Sequence, residues 1–266
     1  ERVCIRGDRM KLFKELYQYR EFLKTSIRKE FRGKYKKSFL GVLWSFINPL
    51  LQLLVYALVF PFIMRVQVEN YTMFLIVTLI PWNFFNATVC QSTSTIIASS
   101  GIIKKVYFPR EILPISNVTS NLLNFLISCI IIVAALFISG IGIGASIIYL
   151  PLIVLLQYIF SLAISFILSS ITLYIRDLEY FVSVLMMLWF YLTPVLYEIT
   201  MIPAQFRAIF NLNPMVHIIT AYRDILYYQK TPDMLVILGL LGGCILLLIL
   251  GYFIFNKCEK KFAEEL

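Results

Sequence analysis

The fold of this 266-residue chain is decided by the stretch Lys36-Lys37-Ser38-Phe39-Leu40-Gly41-Val42-Leu43-Trp44-Ser45-Phe46-Ile47-Asn48-Pro49. Thirteen of the 24 Lys and Arg residues lie between Arg2 and Lys37, and an uncharged run follows. The apolar run 42–64 would span about 35 Å as a helix, which is enough to cross a hydrocarbon layer of about 30 Å. The stretch therefore predicts the point at which the chain enters a membrane.

Five further runs of the same kind follow this first one. They lie at 71–97, 112–139, 145–175, 181–197 and 234–255. A soluble helical bundle is disfavoured, because 60% hydrophobic residues and a mean hydropathy of +0.82 leave too little polar surface to cover such a core. We therefore expect an all-α integral membrane protein with six transmembrane helices, forming one domain over 1–266.

The basic residues predict the orientation of these spans, since Lys and Arg are retained on the cytoplasmic side. Twenty of the 24 fall on one predicted side, and the other side has Arg65, Arg207, Arg223 and Lys230. Both termini are therefore expected in the cytoplasm. The net charge of +9 fits a basic inner face against anionic lipid, so it requires no nucleic-acid partner.

The segment 8–37 has the pattern of an amphipathic helix. Its apolar residues recur at steps of three and four, among many Lys and Arg: Leu12, Leu16, Tyr19, Leu23, Ile27 and Phe31. Such a helix lies in the headgroup layer with its cations on phosphates. It can also present a docking surface to a cytoplasmic partner, and the charge pattern does not separate the two interpretations.

Several functions are disfavoured by what the sequence lacks. None of the six runs contains Asp, Glu, Lys, Arg or His, which argues against an ion-coupled carrier or a proton pump. No GxxxxGK[ST] motif occurs, so we expect no ATP site or other cofactor in this chain. The candidates for catalysis are few, namely Glu198, His217 and Asp224, and we predict no catalytic residue and no metal site. A membrane-embedded transferase remains a minor alternative.

Neutral polar residues inside the runs are the candidates for a substrate path. They are Trp82, Asn83, Asn86, Asn117, Asn121 and Asn124. Asparagine amides facing lipid would lack partners, so these residues should face protein or a hydrated route. Hydrogen bonding between helices and lining of a route are both open at this point. Aromatic faces beside neutral amides also suit a sugar polymer.

Three connections carry further predictions. The connection 197–233 is broken by Pro203 and Asn213-Pro214 into two short external helices, 203–212 and 214–228. We expect these to be re-entrant helices that dip back into the outer leaflet, either as a lid over an exit path or as a packing cap. The connection 104–114 is charged and stiffened by prolines, and a stiff element can transmit force from a partner. The glycine-rich run 140–145 predicts a tight turn between adjacent helices.

Several short motifs together give the chain a specific resemblance over nearly its whole length. They are Leu40-Gly41-x-x-Trp44-x-x-x-Asn48-Pro49, Leu79-Ile80-Pro81-Trp82, Phe108-Pro109-Arg110-Glu111-Ile112-Leu113-Pro114, Arg176-Asp177, Leu192-Thr193-Pro194-Val195, Leu212-Asn213-Pro214 and Tyr222-Arg223. With these motifs the chain resembles the ABC-2 type permease subunits of exporters for lipid-linked polysaccharides or teichoic acids. The segment 120–125 is more similar to the teichoic acid branch.

This resemblance implies a half-transporter of the bacterial plasma membrane. Two copies of the chain would assemble with two copies of a separate ABC ATPase that holds ATP and Mg²⁺, and would move an undecaprenyl-diphosphate-type lipid-linked polymer outward. The interface helix would include Leu16, Tyr19, Leu23, Ile27 and Phe31. The ATPase-coupling residues would be Lys104, Lys105, Tyr107, Phe108, Pro109, Arg110 and Glu111, with Arg176 and Asp177 at a second contact.

The sequence leaves several alternatives for the transported molecule. Teichoic acid is the first expectation, and an O-antigen or capsule polysaccharide of the same family is the alternative. Exporters of drugs or lipids in the wider superfamily, and a passive scaffold in envelope synthesis, remain further alternatives.

Overall fold

The computed structural model describes residues 17–34, 38–62, 68–259 and 262, and within them the fold is helical throughout. The helices in chain order are α1 (Arg20–Gly33), α2 (Trp44–Phe62), α3 (Tyr71–Ala98), α4 (Ser100–Ile103), α5 (Ile112–Ile138), α6 (Leu150–Ile171), α7 (Leu178–Tyr191), α8 (Ala204–Asn211), α9 (Pro214–Leu226) and α10 (Met234–Glu259). Short 3₁₀ turns occupy Gly41–Leu43, Ala145–Tyr149 and Ile199–Met201.

Five of the described helical segments are long and apolar enough to cross a membrane, and they contain α2, α3, α5, α6 and α10. This confirms the predicted all-α membrane architecture. The predicted fifth span, 181–197, corresponds to α7, whose 14 residues extend only about 21 Å. The described chain therefore has five long spans and one shorter apolar helix where six long spans were expected.

The helix α7 ends at Tyr191, although the apolar sequence continues to Tyr197. Pro194 has no N–H to donate and disfavours helical geometry at Thr193 before it. The chain therefore leaves the helix in a series of turns, and the prediction of a helix over 192–197 is wrong. Backbone carbonyls freed in this way need other donors if they are buried in a membrane protein.

The helices alternate in direction, so the bundle has two ends. We call the basic end the one that contains the connections 98–112 and 171–178 and the end of α10. A cluster of buried apolar side chains closes this end: Ile96, Ile103, Phe108, Leu113, Phe166, Leu173, Phe255 and Phe262. The opposite end contains the connections 138–150 and 191–234.

The helix α3 is the centre of the bundle. Eighteen of its 28 residues are buried, and it packs against α2, α5, α6, α7 and α9. By contrast, Ser45 and Leu53 are the buried residues of α2 within the part whose side chains are described. The exposed surface of α2 is mostly leucine and valine, as expected for a helix that faces lipid or another protein.

The predicted turn at 140–145 is confirmed. Gly140 and Gly142 both have φ near +73°, a region that residues with a Cβ rarely adopt. The predicted external helices are also present as α8 and α9, and α9 begins at the Asn213-Pro214 pair. The Asn213 side chain accepts a hydrogen bond from the Met215 N–H at 3.0 Å, which caps that helix.

The contact between α6 and α10 depends on Gly251. A Cβ at this position would lie 2.7 Å from the Ala163 carbonyl oxygen and 3.2 Å from Ile167 Cγ1. Gly243 lies on the same helix and has no atom within 4 Å of the equivalent position.

We therefore expect Gly251→Ala to lower the free energy of unfolding by about 1–3 kcal/mol, because a backbone carbonyl cannot move away from the added methyl group. The thermal unfolding midpoint in one detergent measures this effect. Gly243→Ala is the matched control and should leave the midpoint nearly unchanged. Equal midpoints for the two variants would contradict the close helix contact.

Candidate functional site

A cavity of about 440 Å³ lies between α2, α3 and α5, and we call it the amide groove. Its wall carries six neutral amide side chains: Asn48, Gln52, Asn83, Asn86, Asn121 and Asn124. Asn83 donates to Gln52 Oε1 at 2.8 Å, and Ser45 donates to Asn124 Oδ1 at 2.5 Å. Three neighbouring helices thus place uncharged hydrogen-bonding side chains on the wall of one cavity.

A second cavity of about 360 Å³ lies between α2, α3 and α7, and we call it the aromatic groove. Its wall includes Tyr56, Trp82, Phe190 and Tyr191, and it shares Gln52, Asn83 and Asn86 with the amide groove. The Trp82 and Phe190 ring centroids are 5.5 Å apart. The structure therefore places Trp82, Asn83, Asn86, Asn121 and Asn124 along one continuous polar and aromatic surface.

Asn117 differs from the other predicted path residues. It is buried, and its amide donates to Ser92 Oγ at 3.2 Å and to the Thr88 carbonyl at 3.4 Å. Ser92 in turn donates to Ser165 Oγ at 2.8 Å. Asn117 therefore ties α5 to α3 and is absent from the walls of both grooves.

Arg223 is a buried cation that the sequence analysis placed on the outer side of the membrane. It is 4% exposed, and its guanidinium lies 3.7 Å from the centroid of the Phe74 ring. It donates to the carbonyl of Pro194 at 2.7 Å and to that of Tyr197 at 3.4 Å. The sequence indicates this burial, because most of the residues of the helix around Arg223 are apolar.

Gln157 is a second polar residue that the sequence analysis did not select. It is fully buried on α6, donates to the Pro81 carbonyl at 2.8 Å and accepts from the Tyr222 hydroxyl at 2.8 Å. One side chain thereby joins α3, α6 and α9. A lone glutamine in an apolar span is itself a signal, since polar groups inside a membrane bundle need a partner.

At the basic end, the predicted coupling residues divide into an exposed group and a buried group. Lys104, Lys105 and Tyr107 are exposed, whereas Phe108, Pro109 and Glu111 are buried. The Phe108 ring lies 4.8 Å from the Phe22 ring of α1. Phe108 therefore packs the connection against α1 and does not project outward.

The remaining predicted coupling residues at the basic end are Arg110, Arg176 and Asp177. Arg110 donates to the Glu259 carbonyl at the end of α10, and its guanidinium lies 5.8 Å from the Phe262 ring centroid. Arg176 and Asp177 are exposed in the connection between α6 and α7. The exposed surface of the basic end thus consists of short connections that are anchored to the bundle by buried side chains.

The helix α1 lies inside the predicted segment 8–37, and Leu16 lies outside the described residues. One face of α1 is partly buried and includes Leu23, Ile27 and Phe31, and Tyr19, directly before the helix, is also partly buried. At its end, Lys34 Nζ donates to Asn121 Oδ1 of the amide groove at 2.6 Å. Burial lowers the pKa of Lys34 to about 8, although nearby Glu30 acts in the opposite direction.

The three residues considered for catalysis have separate partners. His217 Nε2 is 2.8 Å from the Asn211 carbonyl, and Glu198 accepts from Thr200 and from Tyr228. In the described part of the chain, no hydrogen bond joins any two of Glu198, His217 and Asp224. This arrangement gives no support to the transferase alternative.

Long apolar spans around a neutral polar groove define a multi-pass membrane protein. The family model described as ABC-2 type transporter matches residues 21–227, and the chain belongs to this family. Membership makes the chain a transport subunit and implies an ABC ATPase partner.

The chain is also similar to curated relatives over nearly its whole length. It is 42% identical over 247 residues to the O-antigen export system permease protein RfbA of Klebsiella pneumoniae, covering 92% of this chain and 95% of the relative. It is 37% identical over 263 residues to the protein of the same name from Myxococcus xanthus, covering 97% of this chain and all of the relative.

The structure predicts that two asparagines of similar sequence context respond differently to substitution. Asn117→Leu should lower the free energy of unfolding by about 1–2 kcal/mol, because it removes the buried hydrogen bonds that tie α5 to Ser92 and Thr88 of α3. Asn86→Leu should change it by less than about 0.5 kcal/mol while reducing transport, because Asn86 lines both grooves. Thermal unfolding and cargo export measure the two effects. Loss of stability in Asn86→Leu, or loss of export alone in Asn117→Leu, would contradict this division.

Proposed function

We propose that this chain is the permease subunit of an ABC exporter that moves a lipid-linked polysaccharide of the O-antigen type across a bacterial plasma membrane. The observation that carries the proposal is the similarity to two O-antigen export permeases over at least 92% of the chain. The teichoic acid interpretation stays a prediction, and the relatives' names favour the O-antigen alternative.

The chemistry of the grooves supports this class of cargo. Neutral amides exchange hydrogen bonds with sugar hydroxyls as readily as with water, and aromatic rings cover the apolar faces of sugars. A path without charges also avoids holding a long polymer tightly at any single point. The amide groove and the aromatic groove together provide such a surface along α2, α3, α5 and α7.

Energy would enter at the basic end. In the proposed assembly, two copies of the chain bind two copies of an ABC ATPase, and ATP and Mg²⁺ are held by that partner. Lys104, Lys105, Tyr107 and Arg176 are exposed there and are the proposed contacts. Buried Phe108 would pass movement of the connection to α1 through its contact with Phe22. The basic end would face the cytoplasm, together with both termini.

Lys104→Glu combined with Lys105→Glu should weaken co-purification of the ATPase partner by about tenfold, because it reverses two exposed charges at the proposed contact. Lys257→Glu is the matched control, since Lys257 is exposed at the same end of the bundle on α10. The stoichiometry of the purified complex measures the effect, and equal loss in all variants would contradict a specific contact.

The cargo is tested by complementation. Cells that lack their own O-antigen permease should regain surface O-antigen when they receive this chain with its ATPase. Surface O-antigen is measured by gel analysis and antibody binding to intact cells. A stoichiometric ATPase complex that restores no polysaccharide of any type would overturn the assigned cargo, although the transport class would remain.

A further inference from the structure

The amide groove has one end that lies toward the basic end of the bundle. Helices α2 and α5 run away from the basic end, and α3 runs toward it. Of the residues that line the groove, those nearest the basic end are therefore Trp44 on α2, Ala87 on α3 and Asn121 on α5. We call this part the inner end of the groove. Cargo that arrives from the basic end would have to pass it.

Three polar side chains from three helices are hydrogen-bonded to one another at the inner end, and we call them the inner clasp. Lys34 Nζ at the end of α1 donates to Asn121 Oδ1 at 2.6 Å. Asn121 Nδ2 donates to Gln91 Oε1 on α3 at 3.1 Å. Gln91 lies about one helical turn beyond Ala87 toward the basic end. The inner clasp therefore joins α1, α5 and α3 on the basic side of the groove.

The ammonium group of Lys34 sets the direction of these hydrogen bonds. A lysine side chain has no acceptor, so Asn121 has to turn its carbonyl oxygen toward Lys34. The Asn121 Nδ2 then faces Gln91 Oε1 and Asn117 Oδ1, each at 3.1 Å. Loss of the ammonium group would remove the partner that fixes the orientation of the Asn121 amide.

The clasp covers the inner end at a cost in free energy. Asn121 is 2% exposed although it lines a cavity, and α1 packs against α5 at this place. Lys34 is itself partly buried, and this burial lowers its pKa to about 8. One amide oxygen replaces only part of the hydration that the ammonium group has lost. The contact is therefore readily broken when α1 moves.

The helix that carries Lys34 also contacts the connection 98–112. Near the start of α1, the Phe22 ring lies 4.8 Å from the Phe108 ring. Lys34 follows Phe22 by twelve residues in sequence, so about 18 Å of helix joins the two contacts. A displacement of the connection would therefore move Lys34 relative to Asn121, which is tied to α3 through Gln91.

We propose that the inner clasp is a gate at the basic end of the amide groove. Lys34 holds the gate shut on Asn121, and displacement of α1 by the connection 98–112 releases it. This inference rests on the proposed function for the direction of transport and for the ATPase that moves the connection. Lys34 is a positioning residue in this scheme, because it acts on the cargo path through Asn121.

The test measures how fast a cysteine at the inner end reacts in the complex of permease and ATPase. Ala87→Cys is introduced into a chain whose native cysteines are replaced by alanine. Inside-out membrane vesicles present the basic end to a membrane-impermeant, cationic thiol reagent. Without ATP, Lys34→Met should raise the reaction rate about tenfold, because it removes a charge-assisted hydrogen bond. Lys34→Arg should leave the rate nearly unchanged, since a guanidinium group also donates to Asn121.

Lys29→Met is the matched control for this substitution, because Lys29 is exposed on the same helix. It should leave the reaction rate unchanged. Asn121→Ala should raise the rate as Lys34→Met does. The double variant should react no faster than either single variant, because both substitutions remove the same contact.

The response to nucleotide gives a second measure. ATP, Mg²⁺ and vanadate should raise the rate of the chain that has Lys34 to about that of Lys34→Met. The same addition should change the rate of Lys34→Met little, because its gate is already open. Lys257→Cys, which is exposed at the basic end on α10, should react equally in all variants and controls for access of the reagent.

Four outcomes would overturn the gate. They are an unchanged rate in Lys34→Met, an equal increase in Lys29→Met, an equal increase in Lys34→Arg, and additive effects of Lys34→Met and Asn121→Ala. A general loosening of the fold would lower the thermal unfolding midpoint of Lys34→Met and leave its full response to ATP, and this result would also overturn the gate.

Failure of the proposed function gives different results. If Lys257→Cys reacted only in right-side-out vesicles, the assigned orientation would be wrong. If ATP changed the rate in no variant while Lys34→Met still raised it, Lys34 would close the groove, but its release by the ATPase would be refuted. A complex that restores O-antigen while Lys34→Met reacts slowly loses this gate alone.

Discussion

The carbonyl groups that follow α7 have to be paired inside the protein, because hydrocarbon offers no donors at the depth of a membrane bundle. Arg223 and Thr78 supply donors to Pro194, Val195 and Tyr197, and Tyr71 donates to the Leu196 carbonyl at 2.8 Å. Four consecutive carbonyls are thereby held by side chains from α3 and α9. An irregular segment is stable here because two neighbouring helices replace the hydrogen bonds that a longer α7 would have made itself. Of the buried side-chain atoms in the described residues, Ser161 Oγ and Arg223 Nε lack such a partner.

The contact between α7 and α3 forms one side of the aromatic groove. Val182, Met186 and Phe190 are the buried residues of α7, and the Phe190 ring centroid lies 5.5 Å from that of Trp82 on α3. Asn83 and Asn86, next to Trp82 in sequence, are less buried and line both cavities. The helix α3 therefore has to bury most of its residues in the core and also leave Asn83 and Asn86 accessible to the two cavities. The helix α3 satisfies both because Asn83 and Asn86 lie on the side toward α2, whereas Thr88 and Ser92 bond to Asn117 of α5.

Hydropathy predicted the long spans to within a few residues. A charged residue in hydrocarbon costs a large free energy, so the uncharged runs that can span a membrane are recognisable in the sequence. The end of α7 was not predictable from hydropathy, because 192–197 is as apolar as the helix before it. Its geometry depends on donors from Tyr71, Thr78 and Arg223, which are distant in sequence. The same reason applies to Phe108, which was predicted as a coupling residue: its burial depends on a contact with Phe22, which is 86 positions away in sequence. Polar residues in the spans were recognised as a group, whereas their division into packing and lining residues required the tertiary contacts of α3 with α2 and α5.

The amide groove is lined by neutral side chains, and the cation Lys34 contacts it at Asn121. A charged group at the middle of the path would bind an ionic or strongly polar cargo tightly and would pay a desolvation cost whenever the path was empty. Neutral amides avoid both effects, since they exchange one hydrogen-bond partner for another with little net free energy. The cation Lys34 lies at one end of the amide groove, next to Asn121. Lys34 has this position, because α1 brings it to Asn121 from outside the membrane-spanning helices. The helix that contacts the connection 98–112 through Phe22 therefore also holds Lys34 beside Asn121. A movement of α1 would change the position of that charge relative to the amides, because one helix contacts both the connection 98–112 and Asn121.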